Sequence, residues 1–133
     1  MLGEGFRVEA QAKNHRIVMD LPPPFGGGAG PTPVDLLLAS LAGCYGIVSR
    51  YHASKHGIEI RGMNVIIEAE YDPAGFEGED VKPGLQKVSI IVEVDTPNSE
   101  EEIKEFMKFV SQHCPIEDTL RSQTPVTTVI KKK

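Results

Sequence analysis

Residues 32–57, TPVDLLLASLAGCYGIVSRYHASKHG, read as one long helix with both ends marked in the sequence. Thr32 can cap it, Pro33 takes the first helical position where a missing N–H is harmless, and Asp35 completes a Thr-x-x-Asp box while complementing the dipole. At the other end, Lys55-His-Gly57 supplies a basic last turn and a left-handed terminator. About 24 residues at 1.5 Å each make roughly 36 Å of helix, enough to cross a small domain. From Leu36 to Val48 every side is apolar or small, the pattern of a helix buried all round. A chain of 133 residues can hardly wrap such a helix alone, so a second copy is expected to help bury it.

The segments on either side have shorter periods. Glu4–Glu9 and His15–Met19 are strand-like and flank Ala12-Lys-Asn14, which predicts a hairpin with Asn14 in its turn. Leu21–Pro31, LPPPFGGGAGP, cannot be helix or central strand and is expected to be a loop that closes against something. Its glycines invite a phosphate-loop reading, but no Gly-Lys-Ser/Thr follows and dinucleotide spacing is missing. Met63–Tyr71 and Leu85–Val94 are β-branched and partly alternating, hence strands, antiparallel across the Asp72–Gly84 connection. Ser99–Gln112 is a helix opened by the capping box Ser99-Glu-Glu-Glu102 and apolar at Ile103, Phe106, Met107 and Val110. Cys114-Pro115 breaks it, a short helix Ile116–Arg121 follows with Cys114 at or just before its N-terminus, and Val126–Ile130 reads as a last strand.

Composition narrows the function. With 40% hydrophobic and 25% charged residues, residues 1–133 suit a single soluble domain with one core. A net charge of -5 gives no general attraction to nucleic-acid phosphates, and the terminal Lys131-Lys-Lys133 is too short to reverse that. No basic segment leads into an apolar leader, and the apolar run around Cys44 meets Arg50, His52 and Lys55 before it could span a bilayer. The expectation is a cytoplasmic protein with neither nucleic-acid nor membrane partners, whose two cysteines are free thiols or a reversible redox pair.

Cys44 and Cys114 lie 70 positions apart, so only the fold can bring them together. A helix N-terminus lowers a thiol pKa, which favours Cys114 as the electrostatically assisted thiol, whereas mid-helix Cys44 needs a cation from elsewhere. The plainer reading makes Cys44 a small hydrophobe between Gly43 and Gly46. His52 and His56, one turn apart, have the spacing of a two-histidine metal face, and His113 adjoins Cys114. Cys44, however, is roughly 12 Å along the helix from His52, too far to share a metal with that pair. No hydrolase elbow or paired-carboxylate context accompanies these residues.

Two segments resemble the OsmC/Ohr family, the osmotically inducible and organic hydroperoxide resistance proteins. Gly30-Pro-Thr-Pro-Val-Asp-Leu-Leu-Leu-Ala-Ser-Leu-Ala-Gly-Cys44 is similar to the family's lead into its first cysteine, and His113-Cys-Pro-Ile-Glu-Asp-Thr-Leu120 to its second-cysteine motif. The order of elements agrees over nearly the whole chain. The resemblance implies an α+β fold with antiparallel sheets around the long central helix, and an entwined homodimer with active sites at its interface. It further implies that Cys44 attacks the peroxide and Cys114 resolves the product, with no metal or organic cofactor and with an external thiol or dithiol as reductant.

The pattern also departs from the family. Its peroxidases place a glutamate directly after the helix-opening proline; here Val34 follows Pro33 and the acid is Asp35. Nine residues before Cys44, Asp35 is roughly 13 Å up the same helix and can reach only a partner chain's thiol. The loop Leu21–Pro31 has no arginine, which leaves Arg16, and behind it Arg7, as the activating cation. The expected function is a thiol-dependent peroxidase reducing organic hydroperoxides in an oxidative stress response. The alternative is a non-peroxidatic OsmC-like dimer that binds a small apolar ligand at its interface.

Overall fold

The helix start at Thr32 forms as the sequence predicts. In the computed structural model, which describes residues 1–133, the Thr32 N–H donates to Asp35 Oδ2 at 2.9 Å and the Asp35 N–H donates to Thr32 Oγ1 at 3.1 Å. The helix they open, α1, runs Pro33–His52. It is 20 residues long, shorter than predicted, because its end tightens into a 3₁₀ turn at Ser54–His56 before Gly57 closes it at φ 68°.

Hairpin strands β1 (Val8–Ala12) and β2 (His15–Met19) precede α1, and β3 (Gly62–Glu70), β4 (Lys87–Asp95), α2 (Glu100–His113) and α3 (Pro115–Arg121) follow. No helix is long and apolar enough to cross a membrane. The chain forms two compact units, each from two segments: Met1–Ser40 with Ile67–Ser89, and Leu41–Ile66 with Ile90–Lys133.

In the first unit β1 and β2 pair antiparallel from Val8↔Met19 to Ala12↔His15, and Lys13 takes the left-handed turn position at φ 53°. The first strand starts later than predicted. Gly5 at φ 61° lets residues 3–7 fold back on themselves, with the Gly3 N–H on the Arg7 carbonyl at 2.8 Å, so Glu4–Arg7 is turn and not strand. The Pro/Gly loop closes on Asp20, a buried carboxylate that accepts the N–H groups of Leu21 at 2.8 Å and Ala29 at 3.1 Å. Glycine is required at position 30, where a Cβ would stand 2.3 Å from the Val18 carbonyl oxygen.

The hairpin β3–β4 passes from one unit into the other and is bracketed by Arg61 N–H to Asp95 O at 2.9 Å and Gln86 N–H to Glu70 O at 2.7 Å. Both strands occur where β-branched composition places them.

In the second unit Leu41, Tyr45 and Ser49, at successive i, i+4 positions of α1, are buried, as are Phe106 and Val110 of α2. As expected of a chain too short to wrap α1 alone, a single copy covers one stripe only, leaving Ile47 73% and Tyr51 68% exposed. The predicted last strand is absent. Residues 123–133 form no strand, and Val126 and Ile130 are 86% and 91% exposed, because the segment joins the edge of neither hairpin and an isolated strand has no ladder to hold it.

The capping box at α2 is complete, with the Glu102 N–H on Ser99 Oγ at 3.2 Å and the Ser99 N–H on Glu102 Oε2 at 2.8 Å. Ser99→Ala is expected to destabilise the fold by about 1 kcal/mol, read as a lower urea midpoint with no change in slope.

Candidate active site

Cys114 ends α2 and begins α3. Pro115, which has no N–H to satisfy, takes the first helical position behind it, and the backbone of Cys114 is extended at φ -83°, ψ 110°. That geometry turns the side chain back over the helix start, where Cys114 Sγ accepts the Glu117 N–H at 3.4 Å. The thiol thus occupies the place a serine or threonine hydroxyl takes in an ordinary N-cap. Cys114 is completely buried, while Cys44 on α1 is half-buried.

The fold brings the two cysteines together. The Cys44 side chain lies near enough to the Cys114 thiol to influence its titration, and both sulfurs are free. Burial pushes the Cys114 thiol up to about 11, and the nearness of Cys44 adds to that rise. The N–H groups of Glu117 and Ile116 pull the other way and lose. The expectation that a helix N-terminus makes Cys114 the assisted thiol is therefore corrected: desolvation outweighs the amide donors.

A group not singled out in the sequence holds this arrangement. Glu117, at the third position of α3, is buried to 5% exposure. Its Oε1 accepts the Tyr45 hydroxyl at 2.7 Å, and its Oε2 accepts the Ser111 hydroxyl and faces Arg121 Nε at 3.6 Å. Burial by itself raises the Glu117 carboxyl, but the Ser111 and Tyr45 hydroxyls and the Arg121 guanidinium outweigh it and hold the carboxyl below its ordinary value. Tyr45 is pushed up to about 12, first by burial and then by its bond to Glu117. The spacing Cys114-Pro-Ile-Glu117 matches a capping box with cysteine in the serine position, and that was the available signal. The side chain of Glu117, however, turns inward to Tyr45 and Ser111, a direction no local pattern encodes.

The other two predicted site residues lie in the first unit, and each has a partner there. Arg16 pairs with Glu9, whose other oxygen holds Arg7 Nη2 at 2.5 Å. The Arg16 hydrogen bond, then that of Arg7, keeps the Glu9 carboxyl below its ordinary value. Asp35 accepts the Thr32 N–H in the α1 cap. Within this chain the structure thus sets Cys44 near Cys114 and commits Arg16 and Asp35 to the hairpin and the cap.

The histidines pack instead of converging. His52, His56 and His113 surround the Phe109 ring with centroid separations of 4.9, 4.3 and 4.0 Å, and His113 Nδ1 also bonds the Phe109 carbonyl at 2.8 Å. Burial, then the charge of Lys55, lowers the His52 pKa. No three His, Cys, Asp or Glu side chains gather where a metal could be held.

Residues 26–129 match the family described as OsmC-like protein. A hydroperoxide reductase of Mycoplasma genitalium is 31% identical over 123 residues, covering 90% of this chain and 82% of the relative. A hydroperoxide reductase of Mycoplasma pneumoniae is 32% identical, covering 91% and 83%. The crystal structure of an OsmC-like protein from Mycoplasma pneumoniae superposes with a TM-score of 0.81 at 30% identity, over 91% of this chain and 83% of that one. With its α+β order of elements and a cysteine in each of the two motifs, the chain belongs to the OsmC-like family.

Proposed function

We propose that this protein is a thiol-dependent peroxidase that reduces organic hydroperoxides, with Cys44 as the attacking thiol and Cys114 as the resolving one. The observation that carries the reading is the nearness of the two thiols, in a chain whose relatives at 31% and 32% identity are named hydroperoxide reductases. Exposure supports the roles: Cys44 is half-buried, whereas Cys114 is completely buried.

The Cys44 thiolate attacks the outer oxygen of ROOH, the O–O bond breaks, and the alkoxide leaves with a proton as ROH, giving Cys44–SOH. Cys114 then displaces hydroxide from that sulfur. The S–O bond breaks as the S–S bond forms, and the hydroxide leaves as water with the Cys114 proton. An external dithiol returns both cysteines to thiols and is itself oxidised to a disulfide. No step calls for a metal or organic cofactor.

The same reading places the active protein in the cytoplasm as an entwined homodimer of single-domain subunits. The bare face of α1 at Leu37, Ile47 and Tyr51 and the unpaired apolar residues Val126, Val129 and Ile130 are the surfaces a second copy would cover. Apolar surroundings would reward the R group of an organic peroxide over hydrogen peroxide. Arg16, oriented by Glu9, is the cation assigned to Cys44 across that interface, and Asp35 is assigned to the pocket rim. The second reading, a non-peroxidatic dimer that binds a small apolar ligand, is favoured by one observation. Within the chain Arg16 and Asp35 have their own partners.

Stopped-flow mixing of the reduced protein with cumene hydroperoxide and with hydrogen peroxide separates the two. Consumption of two thiols per chain is expected, with a Cys44–Cys114 disulfide by mass spectrometry and a preference of about tenfold or more for the organic peroxide. Thiols that survive excess peroxide would select the ligand-binding dimer. Cys44→Ser is expected to abolish turnover, and Cys114→Ser to stop at a sulfenic acid that dimedone traps, without a disulfide.

The pH dependence has a defined sign. A thiol titrating at about 11 is almost wholly protonated at neutral pH, so its reactive fraction rises as pH rises towards that value. Disulfide formation, followed as the second kinetic phase, is therefore expected to accelerate about tenfold per pH unit between pH 6 and 9. A second phase independent of pH would contradict it.

A further inference from the structure

We infer that Glu117 is a positioning residue that sets the Cys114 thiol against Cys44, so that the disulfide-forming step depends on it more than the attack on peroxide does. The inference rests on the peroxidase reading above and adds to it a residue that makes no contact with peroxide.

The geometry gives Glu117 two holds on the pair. Its backbone N–H holds Cys114 Sγ at 3.4 Å, and its carboxylate accepts the hydroxyl of Tyr45, the residue next to Cys44 on α1, at 2.7 Å. Successive residues on a helix are separated by about 100° around the axis, so fixing the Tyr45 side chain fixes the rotation at which α1 presents Cys44. The same carboxylate takes the Ser111 hydroxyl from α2 and faces Arg121 from α3. One side chain thus ties the helix that carries Cys44 to both helices that flank Cys114.

Capping alone does not require this. A carboxylate that only complements a helix N-terminus can stay in water, whereas Glu117 is 5% exposed and has partners on both oxygens. Disulfide formation is an in-line displacement. Cys114 sulfur must approach Cys44 sulfur opposite the departing hydroxyl, and a displacement of about 1 Å in such a step costs on the order of 100-fold in rate. The first step needs only Cys44 and a diffusing peroxide, so it has little stake in where Cys114 stands.

The test uses the reduced full-length protein and three variants, Glu117→Ala, Glu117→Gln and Tyr45→Phe. Cumene hydroperoxide is added, sulfenic acid is trapped with dimedone, and the disulfide is quantified by mass spectrometry at each time point. Parallel samples receive diamide, which drives disulfide formation without peroxide. In Glu117→Ala, loss of the reduced Cys44 thiol is expected to stay within about twofold of the original chain while disulfide formation slows by about tenfold or more. Sulfenic and then sulfinic acid should accumulate at Cys44.

Tyr45→Phe should slow the same step. Glu117→Gln should restore most of the rate, because the amide oxygen still accepts from Tyr45 and its NH2 can donate to Ser111. If Glu117→Ala does not fold by circular dichroism, the Gln and Phe variants decide between the outcomes. Disulfide formation at the original rate in Glu117→Ala or in Tyr45→Phe overturns the inference, as does equal slowing of both steps. If the unmutated protein ignores peroxide, the peroxidase reading falls separately, and the diamide rates alone decide whether Glu117 positions the pair.

Discussion

A carboxylate withdrawn from water is the constraint on which the second unit of this chain depends. Glu117 is charged and buried, a combination that is tolerated only when hydrogen bonds and opposite charge replace the lost hydration. Tyr45, Ser111 and Arg121 supply that replacement from α1, α2 and α3. Moving any of these helices would strand either the carboxylate or a buried hydroxyl. The arrangement is therefore directional in a way that the buried Leu41, Phe106 and Val110 of the same unit are not, since apolar contacts tolerate small slides that hydrogen bonds do not.

The thiols inherit their character from the same packing. Cys114 caps α3 as a hydroxyl would, yet its surroundings exclude water so fully that the thiol form is favoured far above neutral pH. Cys44 stays half-open on α1. Two residues of one chemical type are thus made unequal by environment alone, one half-buried and one fully buried.

The long helix shows how far a sequence pattern can be trusted. Its start was legible to the residue, because the cap at Thr32, Pro33 and Asp35 is an exchange of hydrogen bonds within four residues of chain. The capping box at Ser99 and the break at Cys114-Pro115 were legible for the same reason. The all-round apolar character of α1 was legible as composition, and a single chain covers only one stripe of it, because burial depends on how much surface is brought to it. Val126–Ile130 was read as a strand and is none. A β-branched run states a preference for extended backbone and says nothing about whether an edge is at hand. The first strand began late because the turn chemistry of Gly3 and Gly5 overrode a weak alternation.

By itself the sequence determined the order of the helices and the two hairpins, the helix starts, the family motifs around Cys44 and Cys114 and the net acidity, because each is set by residues close together in the chain. Tertiary structure alone decided that two thiols 70 positions apart come near each other, that burial defeats the helix N-terminus at Cys114, and that Glu117 turns inward to join three helices. The physical reason is common to all three. Hydrogen-bond partners, desolvation and sulfur contacts are properties of neighbours in space, and local sequence specifies neighbours only within a helical turn or a hairpin.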